Sequence, residues 1–176
     1  HITHRIEVFT QGDETSGATQ PTNRFVKAAH QLNINDLTGC FSARLYFLNG
    51  TFTGPQLAEI ADLLLADTVT ERYVISDVDT PHDLGEAYSH NIEVATLPGV
   101  TNAVADNLAQ RVRQLGIGDL AWAAVGDRYA LSGDLSEGQL HTLAEHLFAN
   151  VVIHQYAIDA PIVPQGIATT TNDFVE

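Results

Sequence analysis

The feature that most limits how this chain can fold is that it contains the same stretch twice. Gln31-Leu32-Asn33-Ile34-Asn35-Asp36-Leu37 returns 83 residues later as Gln114-Leu115-Gly116-Ile117-Gly118-Asp119-Leu120. The same offset carries Tyr46 onto Tyr129, Leu48 onto Leu131 and Gly50 onto Gly133. Further on, Leu57, Ala61, Leu64 and Ala66 meet Leu140, Ala144, Leu147 and Ala149, and Val69, Tyr73 and Ile75 meet Val152, Tyr156 and Ile158. Of the 45 ungapped positions from Gln31 to Ile75, 16 are identical, too many for coincidence, so one architecture is expected to serve both halves. The openings also match, His4-Arg5-Ile6-Glu7-Val8 against His90-Asn91-Ile92-Glu93-Val94 at an offset of 86, and the three extra residues of the first half fit its Gly12 to Pro21 loop.

Each half reads locally in the same order. Ile6 and Val8 alternate with Arg5, Glu7 and Phe9, as Ile92 and Val94 do with their neighbours, a strand pattern. A helix is predicted from near Thr22 to Leu32 and from near Ala103 to Leu115, followed by an extended stretch over Leu37–Leu48 and Leu120–Leu131. Leu57, Ile60, Ala61, Leu64 and Leu65 then fall on one helical face, repeated by Leu140, Leu143, Ala144, Leu147 and Phe148. Each of these helices opens with a capping-box pattern, Thr53-x-x-Gln56 and Ser136-x-x-Gln139. A last strand is expected to turn Val69, Tyr73 and Ile75 to one face, as it does Val152, Tyr156 and Ile158. The middle stretch reads as one long strand with a bulge or bend. Gly126-Asp127 has turn chemistry, but its counterpart Ala43-Arg44 has little.

The expected fold is therefore α+β: two β-α-β-α-β repeats with a long bent middle strand, mostly antiparallel sheets and helices on one face. Residues 1–76 form the first repeat, 77–89 a connector, 90–158 the second repeat and 159–176 a linker with Pro161, Pro164 and a polar Thr169-Thr170-Thr171-Asn172 run. Helices on one face leave the other open, which the repeats can cover by joining face to face or edge to edge. The result is a covalent version of a symmetric dimer about a pseudo-twofold axis.

Charge narrows the partners. With 22 acidic against 8 basic residues the chain carries a formal charge of −14, which repels phosphate backbones and anionic lipid, so neither nucleic acid nor membrane is expected as a partner. Cys40 is the lone cysteine, so no disulfide forms within one chain, in keeping with an expected cytoplasmic location.

The second half carries a recognisable pattern. Leu97-Pro98-Gly99-Val100-Thr101-Asn102, Val125-Gly126 ahead of Tyr129 and Leu131, and above all Leu147-Phe148-Ala149-Asn150-Val151-Val152-Ile153-His154-Gln155-Tyr156 resemble the small PurS-type subunit of formylglycinamidine ribonucleotide (FGAM) synthase. In the first half the same ending reads Leu64-Leu65-Ala66-Asp67-Thr68-Val69-Thr70-Glu71-Arg72-Tyr73. The pattern departs from that family where Asn102-Ala103 replaces Asp-Pro, Asp127 replaces a lysine and Val151 replaces a proline, and the first half lacks the Pro-Gly-Val opening. The resemblance, to the PurS-like region that leads into the synthetase domain of fused enzymes, implies a non-catalytic assembly module of purine biosynthesis. It would hold together the synthetase and glutaminase parts of a ligase that converts FGAR to FGAM with ATP and glutamine-derived ammonia. It implies no cofactor in this segment, ATP and Mg being expected only in a synthetase domain beyond the linker, and it leaves a homo-oligomer open. The alternative is a tandem ACT-like regulatory module that binds an amino acid, with Leu97-Pro98-Gly99 as its turn.

Single residues point to little chemistry. Gly116-Ile117-Gly118-Asp119-Leu120-Ala121 matches a dinucleotide fingerprint as a string, but it follows a helix and precedes a strand, the reverse of what such a site needs. His141 and His146 lie five apart on a helix and do not form the i, i+4 pair that grips zinc, so no metal site is expected. Glu7 and Glu93 occupy equivalent strand positions and read as two solvated acids, and Cys40 reads as a small core residue. Tyr46, Tyr73, Tyr129 and Tyr156 are the candidates for the repeat–repeat or partner interface, since tyrosine buries a large ring while keeping its hydroxyl satisfied.

Overall fold

Two strand-forming segments of unusual length organise the molecule. In the computed structural model, which describes residues 2–10 and 23–165, the order is β1 (Ile2–Thr10), α1 (Asn23–Gln31), β2 (Gly39–Thr51), α2 (Gly54–Ile60), β3 (Glu71–Asp77), β4 (His90–Thr96), α3 (Ala103–Leu115), β5 (Asp119–Ser132), α4 (Glu137–Leu143) and β6 (His154–Ile158). Helices α2 and α4 each run on into one π-turn, Ala61–Leu65 and Ala144–Phe148. This is an α+β fold with one six-stranded antiparallel sheet and four helices, in the strand order β3-β1-β2-β5-β4-β6.

The middle stretches are single unbroken strands. They pair with each other from Gly39 opposite Ser132 to Thr51 opposite Asp119, with one register shift at Asn49/Gly50. Joining is thus edge to edge, and the central seam is β2–β5. Arg44 stands opposite Asp127 at its midpoint. At two places backbone from one half meets glycine from the other. A Cβ on Gly50 would collide with the Asp119 carbonyl, and one on Gly133, whose φ is +129°, with the Asp36 carbonyl.

All four helices lie on one face, where two cores form. In one, Ala29 of α1 and Leu140, Leu143 and Phe148 of the α4 segment cover Cys40, Ile92 and Leu131. In the other, Leu57 and Ile60 of α2 and Leu108 and Val112 of α3 cover Ile6, Val8 and Leu48. Each core therefore mixes residues of both halves, and neither half owns one. Both capping boxes form as the sequence predicts: Thr53 Oγ1 accepts from Gln56 N and Ser136 Oγ from Gln139 N, and each glutamine returns a bond to the cap backbone.

The second face of the sheet is closed by the connector and the tail. Phe9, Phe41 and Ala130 pack with Tyr88 of the connector, and Leu45, Phe47 and Ala95 pack with Ile162. Residues 159–165 are thus a strap against the sheet, where the sequence suggested a free linker; residues 166–176 and the Gly12 to Pro21 loop lie outside the described residues. The closing strands also begin later than expected. Val69 and Val152 sit in turns and are 82% and 77% exposed. Asp67 and Asn150 accept from the backbone N–H two residues on, which turns the chain and delays the strand until Glu71 and His154. Among the described residues no helix is long and apolar enough to cross a membrane.

Candidate functional site

The two faces of the central seam carry different chemistry. On the second face, β1 and β4 flank the seam and send in Arg5, Glu7 and Glu93, while β5 itself supplies Arg128. All four are at most 4% exposed. Arg5 grips Glu93 with both terminal nitrogens, at 2.7 and 2.5 Å, and reaches Glu7 at 3.2 Å. Arg128 donates to Glu7 at 2.8 Å and to Asn91 at 2.9 Å. Each base thus bonds an acid of the opposite half. The straps plug into the same network: His82 N donates to Glu7, the His82 carbonyl accepts from Arg128, and Ile162 N donates to Glu93.

This arrangement overturns the reading of Glu7 and Glu93 as solvated acids. They are buried because the connector and tail cover them. Burial pushes the Glu7 carboxyl up, but the Arg128 and Arg5 guanidiniums outweigh it and hold the group below the usual carboxylate range. Two positive and two negative charges balance, so the network acts as a neutral, hydrogen-bonded clamp.

On the helix face the seam opens into two clefts flanking the Arg44–Asp127 midpoint. One, of about 320 Å³, is lined by Phe9, Arg24, Ser42, Arg44, Glu71 and Tyr129. The other, of about 210 Å³, is lined by Thr96, Tyr46, Asn102, Val125, Asp127 and His154. Ser42/Val125, Arg44/Asp127, Glu71/His154 and Tyr129/Tyr46 are counterparts at the offset of 83, so the clefts share positions but not charge. The first contains the Arg44–Glu71 ion pair at 2.7 Å, whose hydrogen bonds hold the Glu71 carboxyl below its ordinary range. The second has Asp127 and His154 in the corresponding places. Asn102 caps α3 by accepting from Val104 N and Ala105 N.

The four candidate tyrosines separate into two pairs. Tyr46 and Tyr129 lie on the central strands, two residues from the midpoint of the seam. Tyr46 accepts from Arg44 Nε at 3.0 Å, and Tyr129 stacks on Phe148 with ring centroids 4.1 Å apart, where burial pushes its phenol up. Tyr73 and Tyr156 lie on the outermost strands, away from the seam. Tyr73 donates to the Ala58 carbonyl at 3.5 Å, and Tyr156 to Glu145 at 2.7 Å. Cys40 is fully buried and its thiol is pushed up to about 12 by burial, a core residue and not an ionised nucleophile. Gly116, at φ +68°, ends α3 in a left-handed cap and so belongs to a helix-to-strand turn. Among the described residues no three His, Cys, Asp or Glu side chains form a group that could hold a metal ion.

Sequence reasoning missed Arg5 and Arg128 as site residues. The signal was present in β2, where Phe41, Leu45 and Phe47 alternate with Tyr46 and Leu48: a strand apolar on both faces is covered on both faces. Acids on neighbouring strands of such a sheet then need buried partners. Neither the family models nor the curated protein sequences give a match to this chain.

Proposed function

We propose that this chain is a non-catalytic assembly module of the PurS-like kind, serving a cytoplasmic FGAM synthase by holding its synthetase and glutaminase parts in register. The observation that carries the reading is the seam. Two halves of like element order join through their long middle strands into one sheet, share both cores, and exchange buried ion pairs, a rigid body suited to bridging larger partners. The ending motif supports it, since Asn150 and Asp67 both make the same turn into an edge strand.

The ACT-like alternative needs four strands in each unit. Among the described residues each half has three, because the middle stretch is one strand. Binding of a free amino acid in a seam cleft would favour that alternative all the same. The test is reconstitution with the synthetase and glutaminase of the same source, measuring glutamine-dependent and ammonia-dependent FGAM formation with and without the module. The proposal expects the glutamine-dependent rate to fall when it is omitted. Unchanged rates with both nitrogen donors would defeat it, and a thermal-shift response to one amino acid would transfer the assignment to the regulatory reading.

A further inference from the structure

The two outer edges of the sheet are built from equivalent positions but are armed differently. Edge strand β3 carries Glu71 and Arg72 and ends at Asp77, the charged pattern that discourages strand addition. At the corresponding places β6 has His154, Gln155 and, just beyond it, Ala160. The residues leading into β6, Val151, Val152 and Ile153, are 53%, 77% and 38% exposed. From Val151 to Ile158 there is no Lys, Arg, Asp or Glu.

The register says which backbone groups there have no ladder partner among the described residues. Leu97 N donates to the Ile153 carbonyl and Asp159 N to the Asn91 carbonyl, and β4 pairs with β6 between these bonds. Bonded pairs alternate in an antiparallel ladder, so Gln155 and Ala157 turn their N–H and C=O inward to β4. Tyr156 and Ile158 therefore turn theirs outward. The side chains of these same two residues line a groove of about 520 Å³ beneath α4, together with His90, Glu137, Leu140 and His141.

The groove has an apolar floor and a rim of acceptors. Leu135 and Leu140 are buried beneath it. Tyr156 gives its proton to Glu145, so its oxygen accepts from His141 Nδ1 at 2.9 Å, and His90 Nδ1 meets Asp159 Oδ2 at 2.8 Å. A neutral imidazole with its proton on Nδ1 keeps Nε2 as an acceptor. Two carboxylates, Glu137 and Asp159, line the rim, and a third, Glu145, accepts from the Tyr156 hydroxyl. The first half has Gly54, Ala58 and Ser76 where the second has Glu137, His141 and Asp159, so the fold itself does not require this equipment.

We infer that β6 and this groove form a docking site for an extended, basic segment of a partner protein. The segment adds antiparallel to β6 as a seventh strand and places a Lys or Arg side chain over the Leu135–Leu140 floor, its cation among Glu137, Asp159 and the two imidazoles. Charge selects this occupant. A second copy of a chain at −14 would bring another set of acids against the same rim. Residues 11–22 and 166–176 of the chain itself contain no Lys or Arg. The inference holds whether or not the chain serves FGAM synthase.

The experiment is a titration of the isotope-labelled full chain with two synthetic peptides, one alternating lysine and valine, the other glutamate and valine, followed by amide shifts and hydrogen exchange. The lysine peptide should shift Tyr156 and Ile158, slow exchange of their amides roughly tenfold at saturation, and lose at least roughly tenfold in affinity in Glu137→Lys. His141→Ala, which restores the residue of the first half, should weaken binding too, with both variants unfolding as the parent does. Shifts centred elsewhere, equal binding of the glutamate peptide, binding of neither peptide, or concentration-dependent self-association through β6 would each overturn the inference.

Discussion

The buried clamp makes a quantitative prediction. Arg5→Met leaves Glu7 and Glu93 to share Arg128, an excess of one buried negative charge; Glu93→Gln leaves Arg5 and Arg128 with Glu7, an excess of one positive. Both sites are at most 1% exposed, so water does not make up the difference. Breaking a buried pair from one side costs about 3–5 kcal/mol, a large share of the roughly 5–15 kcal/mol that holds a domain together. At this chain length each variant should melt roughly 10 °C below the parent. The double variant restores neutrality, and the glutamine still accepts from Ile162 N. It should cost less than the two singles combined, by about 2–3 kcal/mol. Urea unfolding of parent, singles and double gives the cycle directly. Additive costs, or single costs below about 1 kcal/mol, would mean that the network is hydrated and does not clamp the halves.

Three further outcomes are expected. Because the Glu7 carboxyl is held below its unfolded value, its contribution is present above the ordinary glutamate pKa of about 4.3 and is lost as pH falls through the depressed folded value; stability of the parent should fall more steeply with acid than that of Glu7→Gln, and parallel curves would refute this. Gly133→Ala, which needs a Cβ where the Asp36 carbonyl sits and a φ that alanine resists, should cost more than about 1 kcal/mol in chemical unfolding, whereas Gly138→Ala, with open space around it at an exposed position of α4, should cost nothing and slightly favour the helix. Residues 1–89 produced alone should give no cooperatively folded monomer by sedimentation and circular dichroism, since each core needs helices of both halves.

Much of the architecture was legible because it rests on local rules written twice. The Leu57 and Leu140 periodicities, the Thr53 and Ser136 capping boxes and the long middle strands depend on near neighbours, and the repeat allowed each ambiguous stretch to be read against its counterpart. Ala43-Arg44 settled what Gly126-Asp127 left open. What stayed hidden depends on non-local placement. Nothing near Glu7 in sequence announces that residues 78–89 will fold over it, nor does the tail's composition show that Ile162 and Pro164 will be buried and that Asp159 will bond Asn91. The late start of β3 and β6 was missed for a different reason. Val69 and Val152 have strand propensity, but the side-chain bonds of Asp67 and Asn150 to the following backbone override it.

The seam also indicates what two like segments within one chain permit. Were two identical units to pair through their middle strands in this register, position 44 would meet its own copy and present two like charges at the midpoint, a destabilising cross-strand pair. In the tandem chain that position is free to differ on the two sides, and it has become Arg44 opposite Asp127. The same freedom lets equivalent clefts carry an Arg44–Glu71 pair on one side and Asp127 with His154 on the other, and lets β6 lose the charges that β3 keeps. Some core positions stay alike, Leu57 and Leu140, Ala61 and Ala144, Leu48 and Leu131, while others differ, Phe47 against Ala130 and Leu65 against Phe148. The two clefts and the two sheet edges thus differ in charge between the halves, and they are the first places to test for distinct partners.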